Sequence, residues 1–167
     1  GACGACHAPH GSPFAKLARG EQLKMCASCH PTVVKKSQEK KLHTPFKENN
    51  CQACHNPHAT DSKNLLAANE KTACLTCHKN NSSQFEQKFL HTPVAKNECS
   101  GCHEPHGGGF DKLLKTKSED LCYACHKEEQ KKFAQGTVHA PVAEKQCLAC
   151  HSPHGGPVKN GLTTPVP

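Results

Sequence analysis

HTPFKENNCQACHNPH, residues 43–58, decides how this chain is read. The same punctuation returns in HTPVAKNECSGCHEPH at 91–106 and in HAPVAEKQCLACHSPH at 139–154, each 48 residues after the last. At the centre of each lies CxxCH: Cys51/Cys54/His55, Cys99/Cys102/His103 and Cys147/Cys150/His151. Outward from these stand Cys3/Cys6/His7, Cys26/Cys29/His30, Cys74/Cys77/His78 and Cys122/Cys125/His126. The seven copies use all 14 cysteines. Thiols at i and i+3 lie on one side of a helical turn, and a histidine at i+4 comes round to the same side. Two thiols so placed reach the two vinyl groups of one porphyrin, with the histidine under the iron. CxxCH therefore marks covalent attachment of c-type haem.

The histidines balance the motifs. Of 14 in the chain, seven belong to CxxCH and seven stand outside it: His10, His43, His58, His91, His106, His139 and His154. Seven proximal ligands matched by seven others predict seven bis-histidine haems. His10, His58 and His106 sit too near their own proximal histidines to serve the same iron. Repeat symmetry predicts that they ligate the haems of His30, His78 and His126, and that His43, His91 and His139 ligate those of His55, His103 and His151. That scheme leaves the His7 haem without a distal ligand and His154 without a haem. It predicts a head-to-tail homopolymer, an electron-conducting filament in which His154 of one chain ligates the His7 haem of another; the alternative is that His154 folds back within its own chain. Met25 and Tyr123 have no counterparts in the other repeats and are expected against porphyrin.

The period holds beyond the motifs. Leu17, Leu65 and Leu113 keep register, as do Leu42, Leu90 and Val138, and Phe85 and Phe133. No insertion breaks the pattern, so residues 1–167 read as one heptahaem unit of three and a half repeats, two haems to a repeat. Hydrophobic residues reach only 35%, cysteines included, and aromatics 4%. An ordinary domain is about 45–50% apolar, so the chain lacks the side chains for a core of its own. Haem supplies the core, and the apo-chain is expected to be disordered. The predicted fold is mostly irregular, with short α-helices wrapped around a linear haem array. Helices are expected leading into ANEKTACLTCH and SEDLCYACH and along SSQFEQKF and KEEQKKFAQ. Pro9, Pro57, Pro105 and Pro153 stop helices, and no alternation is long enough for a substantial sheet. Residues 157–167 are expected to form an extended C-terminal arm.

Charge excludes one partner class. The formal charge is +7, from 21 Lys and Arg against 14 Asp and Glu. Haem propionates cancel it, leaving about zero oxidised and about −7 reduced. The raw pI near 8.7 is thus no sign of nucleic-acid binding. No apolar run approaches the ~20 residues of a membrane span. Thioether attachment takes place outside the cytoplasm, which predicts a periplasmic or extracellular protein with an export signal on its precursor. Gly1 is expected to be a processed terminus or a fragment boundary.

The repeat HxPxxxxxCxxCHxPH followed by a second CxxCH resembles the doubled-CxxCH multihaem c-type cytochromes, from Cys3 to His154. The resemblance implies covalent haem c, bis-histidine iron and electron transfer along closely spaced haems, as in bacterial decahaem and pentahaem periplasmic conduits. It implies redox proteins or extracellular electron acceptors as partners. An iron with two histidines has no vacant position, which favours outer-sphere electron exchange over catalysis. The rival enzyme is a multihaem reductase of a small oxyanion, which needs one open haem. Zinc held by paired CxxC motifs leaves the histidine after every second cysteine unexplained. A disulfide framework does no better, and haem storage is a further alternative.

Overall fold

The computed structural model describes residues 3–165. The expectation attached to Gly1 lies outside them. The helices are short: α1 Cys3–Cys6, α2 Gln22–Ala27, α3 Pro31–Lys35, α4 Thr44–Lys47, α5 Glu70–Leu75, α6 Thr92–Ala95, α7 Ser118–Tyr123, α8 Lys127–Phe133 and α9 Ala140–Ala143. The helices α5 and α7 lead into the second motif of their repeats, as expected, and α8 covers KEEQKKF. SSQFEQKF begins inside a 3-10 stretch, Lys79–Phe85, instead of an α-helix. Its polar run KNNSS favours local side-chain to backbone bonds over a helix. Proline at the first turn starts α4, α6 and α9, directly after His43, His91 and His139. There the missing N–H costs nothing, and His43 and His91 cap their helices in extended backbone.

Two small antiparallel ladders join distant repeats. Strand β1, Lys41–Leu42, pairs with β3, Gly107–Gly108. One period on, β2, Phe89–Leu90, pairs with β4, Gly155–Gly156. A Cβ on Gly107 would lie 2.7 Å from Leu42 Cδ2, and one on Gly155 would lie 2.8 Å from the Phe89 carbonyl oxygen. Glycine is thus what lets the strands meet.

The extended arm expected at the C-terminus is not what its first residues form. A 3-10 turn at Lys159–Gly161 folds the chain back, Ser152 N donates to Gly161 O, and Thr163 N donates to Cys150 O. The loop has the same form after His7, His55 and His103, so this segment belongs to the fourth repeat. Val166 and Pro167 lie outside the described residues.

Among the described residues no hydrophobic side chain is buried. The accessible surface is 12161 Å², against about 8,000 Å² for a compact protein of this mass. The polypeptide is a wrapping whose inner surface is left for another apolar body.

Candidate haem-binding sites

The first motif of each repeat is built the same way. CxxC forms a turn, and His7, His55, His103 and His151 bridge antiparallel to Ala18, Leu66, Leu114 and Leu162. Two successive residues before each bridge partner are left-handed: Lys16 and Leu17, Asn64 and Leu65, Lys112 and Leu113, Asn160 and Gly161, with φ from 53 to 67°. A non-glycine residue pays about 1–2 kcal/mol for this conformation. What it achieves is visible at the histidine. Nδ1 of His7, His55, His103 and His151 hydrogen-bonds the carbonyls of Lys16, Asn64, Lys112 and Asn160, each at 2.9 Å. The strained turn aims a carbonyl at the ring, fixes the Nδ1–H tautomer and leaves Nε2 for a metal.

The second motif starts in the last turn of helix α2, α5 or α7. The first thiol of each second motif meets the first thiol of the next repeat: Cys26 with Cys51, Cys74 with Cys99 and Cys122 with Cys147. Cys54 lies beside Cys77, and Cys102 beside Cys125. The shared hydrogen bond pushes the Cys74 thiol up and holds that of Cys99 down to about 7. Burial pushes Cys26, Cys54, Cys102 and Cys122 up. Gln22 Oε1 accepts from Cys51 N, and Glu70 accepts from Ser100 N and Oγ, clamping one motif to the next. Attachment points of successive motifs are thereby neighbours along the whole chain.

Five histidine pairs face each other with nearly parallel rings. They are His7–His58, His55–His106, His103–His154, His43–His78 and His91–His126, with ring centroids 5.9 to 6.2 Å apart and interplanar angles of 11 to 21°. This overturns the expected pairing. His58 and His106 face the first motif of the preceding repeat, not the second motif of their own. His43 and His91 face the second motif of their own repeat, beyond the adjacent first motif. The physical reason is the ladders, which sequence spacing does not announce. His43 N donates to His106 O and His91 N to His154 O, while Nδ1 of His43 and His91 hydrogen-bonds Pro105 O and Pro153 O. These bonds tie His43 and His91 to the segments of His106 and His154, which face His55 and His103 of the preceding repeat. His7 and His154, expected to be the odd pair at the ends, are both matched within the chain. The four that face no histidine among the described residues are His10, His30, His139 and His151.

The pairs fit haem iron. Two metal–nitrogen bonds of about 2 Å and about 1 Å from each nitrogen to its ring centre sum to about 6 Å. The same separation recurs in five pairs with different neighbours. Burial is the main cause that lowers the pKa of His43, His106 and His154, keeping them in the neutral, metal-binding form. Phe46 packs edge-on to His106 at 5.1 Å and Phe85 tilts against His154 at 5.0 Å, while Gln84 Oε1 hydrogen-bonds His154 Nδ1. Glu129 lies 3.8 Å from His126 Nδ1. Sequence reasoning missed these supporting groups, though the register of Phe85 with Phe133 was a signal. Among the described residues no three His, Cys, Asp or Glu side chains gather closely enough for a bare metal ion. The donor set suits a cofactor with two axial ligands and two thioethers.

A family model described as the doubled CXXCH motif matches residues 1–35, 43–83, 91–131 and 139–167. No curated protein matches the chain.

Proposed function

The chain belongs to the doubled CXXCH family of multihaem c-type cytochromes, and we propose that it carries electrons along a row of seven covalent haems. When bound, haem c supplies one-electron iron chemistry at modest structural change. The chain's residues do the rest. Cys3 and Cys6, Cys26 and Cys29, Cys51 and Cys54, Cys74 and Cys77, Cys99 and Cys102, Cys122 and Cys125, and Cys147 and Cys150 fix position. Histidines on both sides fix orientation. The observation that carries the reading is the contact between thiols of successive motifs, Cys26 with Cys51 through Cys122 with Cys147. With Cys54 beside Cys77 and Cys102 beside Cys125, it favours short steps along the row. Among the described residues no helix is long and apolar enough to cross a membrane. We place the holoprotein in the periplasm or outside the cell, where thioether attachment occurs, exchanging electrons with redox proteins or extracellular acceptors. Its unmatched ends meet further copies head to tail.

Rapid-mixing reduction of the purified holoprotein tests this. The expected result is seven haems per chain, reduced together by an external donor and reoxidised without loss. A second reading has an observation of its own: His30 and His151 face no histidine, which leaves two positions for a reductase site. Steady turnover of nitrite or another small oxyanion by the dilute monomer would establish it in place of simple transfer.

A further inference from the structure

The contact of first thiols recurs at three joints of the row, but the side chain that closes each joint differs. The position is the first residue of the helix leading into a second motif: Gln22 in α2, Glu70 in α5 and Ser118 in α7, one period apart. Gln22 Oε1 accepts one bond, from Cys51 N at 3.1 Å. Glu70 accepts two from Ser100, from the amide at 2.8 Å and from the hydroxyl at 2.6 Å, across 30 residues of chain. Both residues are half-buried, and bonds to a carboxylate are roughly twice as strong as neutral ones. Ser118 is too short for this role and turns its hydroxyl to the adjacent Glu119. Leu148, which stands where Ser100 does, has no hydroxyl to offer and is 51% exposed.

What spans the third joint instead lies at its surface. Lys145 Nζ is 3.2 Å from Asp120 Oδ1, with the two side chains 45% and 50% exposed. A pair so exposed contributes little and is screened by salt. The clefts beside the joints show the consequence. At the second joint a cleft of about 500 Å³ has Asn69, Lys71 and Asn97 in its lining but neither Glu70 nor Ser100. At the third a cleft of about 560 Å³ runs between Ser118 and Leu148 themselves. The middle joint is closed where the third is open. Glu70 also stands beside the thiols of both Cys74 and Cys99, so what it holds is the attachment point of two successive haems.

We propose that Glu70 is the positioning residue of the step between the His78 and His103 haems, and that the step between the His126 and His151 haems, which has no such residue, is the compliant one and loosens with salt. This deepens the electron-carrier reading and rests on it. Glu70 acts through the backbone. Ser100 lies between Cys99 and Cys102, and Glu70 stands one helical turn before Cys74, so the carboxylate ties the two attachment turns together at one spacing. Gln22, with a single neutral bond, makes the first joint intermediate. No electron or proton passes through these side chains; they set the distance that the electron crosses.

The test uses holoprotein with all haems attached. Amide hydrogen exchange across residues 99–103 and 147–151 reads local opening of the two joints, and EPR of the ferric protein reads the spin coupling of neighbouring haems. In wild type, salt raised to about 1 M, where the screening length is about 3 Å, should speed exchange across 147–151 by about 2- to 5-fold, the range of a surface ion pair. Exchange across 99–103 should not change. Lys145→Gln should speed exchange across 147–151 without salt. Glu70→Ala should speed exchange at Ser100 by more than about 10-fold, as for loss of a bond to a charged group, with partial loss of the spin coupling. Glu70→Gln can keep both bonds, its amide donating to the Ser100 hydroxyl, and should stay within about 5-fold of wild type with the coupling retained. Protection of Ser100 in Glu70→Ala equal to that in wild type would overturn the proposal. So would a Glu70→Gln joint as loose as that of Glu70→Ala, or equal salt dependence at the two joints, a comparison that needs no variant. Haems that share electrons while Ser100 is indifferent to Glu70 would sink the clamp and keep the electron-carrier reading. Ser100 held as expected in a protein whose haems do not share electrons would sink that reading and keep the clamp.

Discussion

The middle of this chain and its two ends carry the same motifs in different states of completion. His55 and His78 each have a histidine opposite, brought there from another motif, and His106 enters its pair through a strand ladder. His30 near one end and His151 near the other face no histidine among the described residues. The difference teaches that a site in such an array is never local. The two histidines of every pair come from different motifs, and in His7–His58, His55–His106 and His103–His154 they come from different repeats.

The largest effect should erase the comparison altogether. Holoprotein chemically stripped of haem, or chain made without the attachment machinery, should lose both middle and ends. No hydrophobic side chain among the described residues is buried to hold either. Far-UV circular dichroism and limited proteolysis are expected to report a disordered chain. A compact, protease-resistant apo-form would show that the polypeptide folds without its cofactor.

How much of this was legible beforehand divides along the same line. The attachment cysteines, proximal histidines, 48-residue period and missing core are local facts, and the sequence states them directly. The distal pairing is not local. Gly107 and Gly155 read as turn residues, whereas in three dimensions they are the close-approach positions that admit β1 and β2. Without those ladders, nearest-neighbour symmetry assigned His43 to His55, and the bonds to Pro105 and His106 carry it to His78 instead. Nor do Leu17, Leu65 and Leu113 announce left-handed turns, because leucine has no preference for them. The proximal ring's need for a carbonyl imposes that conformation.

The next effect sharpens the comparison. His106→Ala removes half of a filled pair and the partner of Phe46. In the monomer it should turn one haem high-spin and cost about 4 kcal/mol, the range for a lost metal ligand. His139→Ala, at a ring that faces no histidine among the described residues, should stay within about 0.5 kcal/mol of wild type in the same monomer. Denaturation followed in the Soret band compares them; equal losses would mean that His139 has a partner within its own chain.

Glycine gives a smaller version of the same contrast. Gly155→Ala forces a Cβ to 2.8 Å from Phe89 O and to 3.0 Å from Leu90 Cα, and should cost about 1–3 kcal/mol. Gly11→Ala meets no atom within 4 Å, so only the strain of a side chain at φ 150° remains, and it should cost the monomer less than Gly155→Ala, which carries a similar φ and the clash together. Thermal melts of the two dilute holoproteins decide it, and a loss from Gly11→Ala as large as that from Gly155→Ala would show that strain, not the close approach, sets the cost.

The smallest effect separates the second motifs from one another. Glu129 stands 3.8 Å from His126 Nδ1, and its counterparts one and two periods earlier are Asn81 and Val33. A carboxylate there makes the imidazole a stronger donor and stabilises ferric iron. The His126 haem should therefore have a lower potential than its equivalents at His78 and His30. Both side chains are about half exposed, so the coupling is under about 1 kcal/mol, or under about 40 mV for one electron. Glu129→Gln should raise the lowest part of the redox titration by that amount, and added salt should shrink the shift because the carboxylate is screened. The haems titrate as a coupled set, so the reading is a change in the low-potential edge of the whole curve. An unchanged low-potential edge at low ionic strength would show that Glu129 does not act on the His126 ring, and would leave the three second motifs electronically alike.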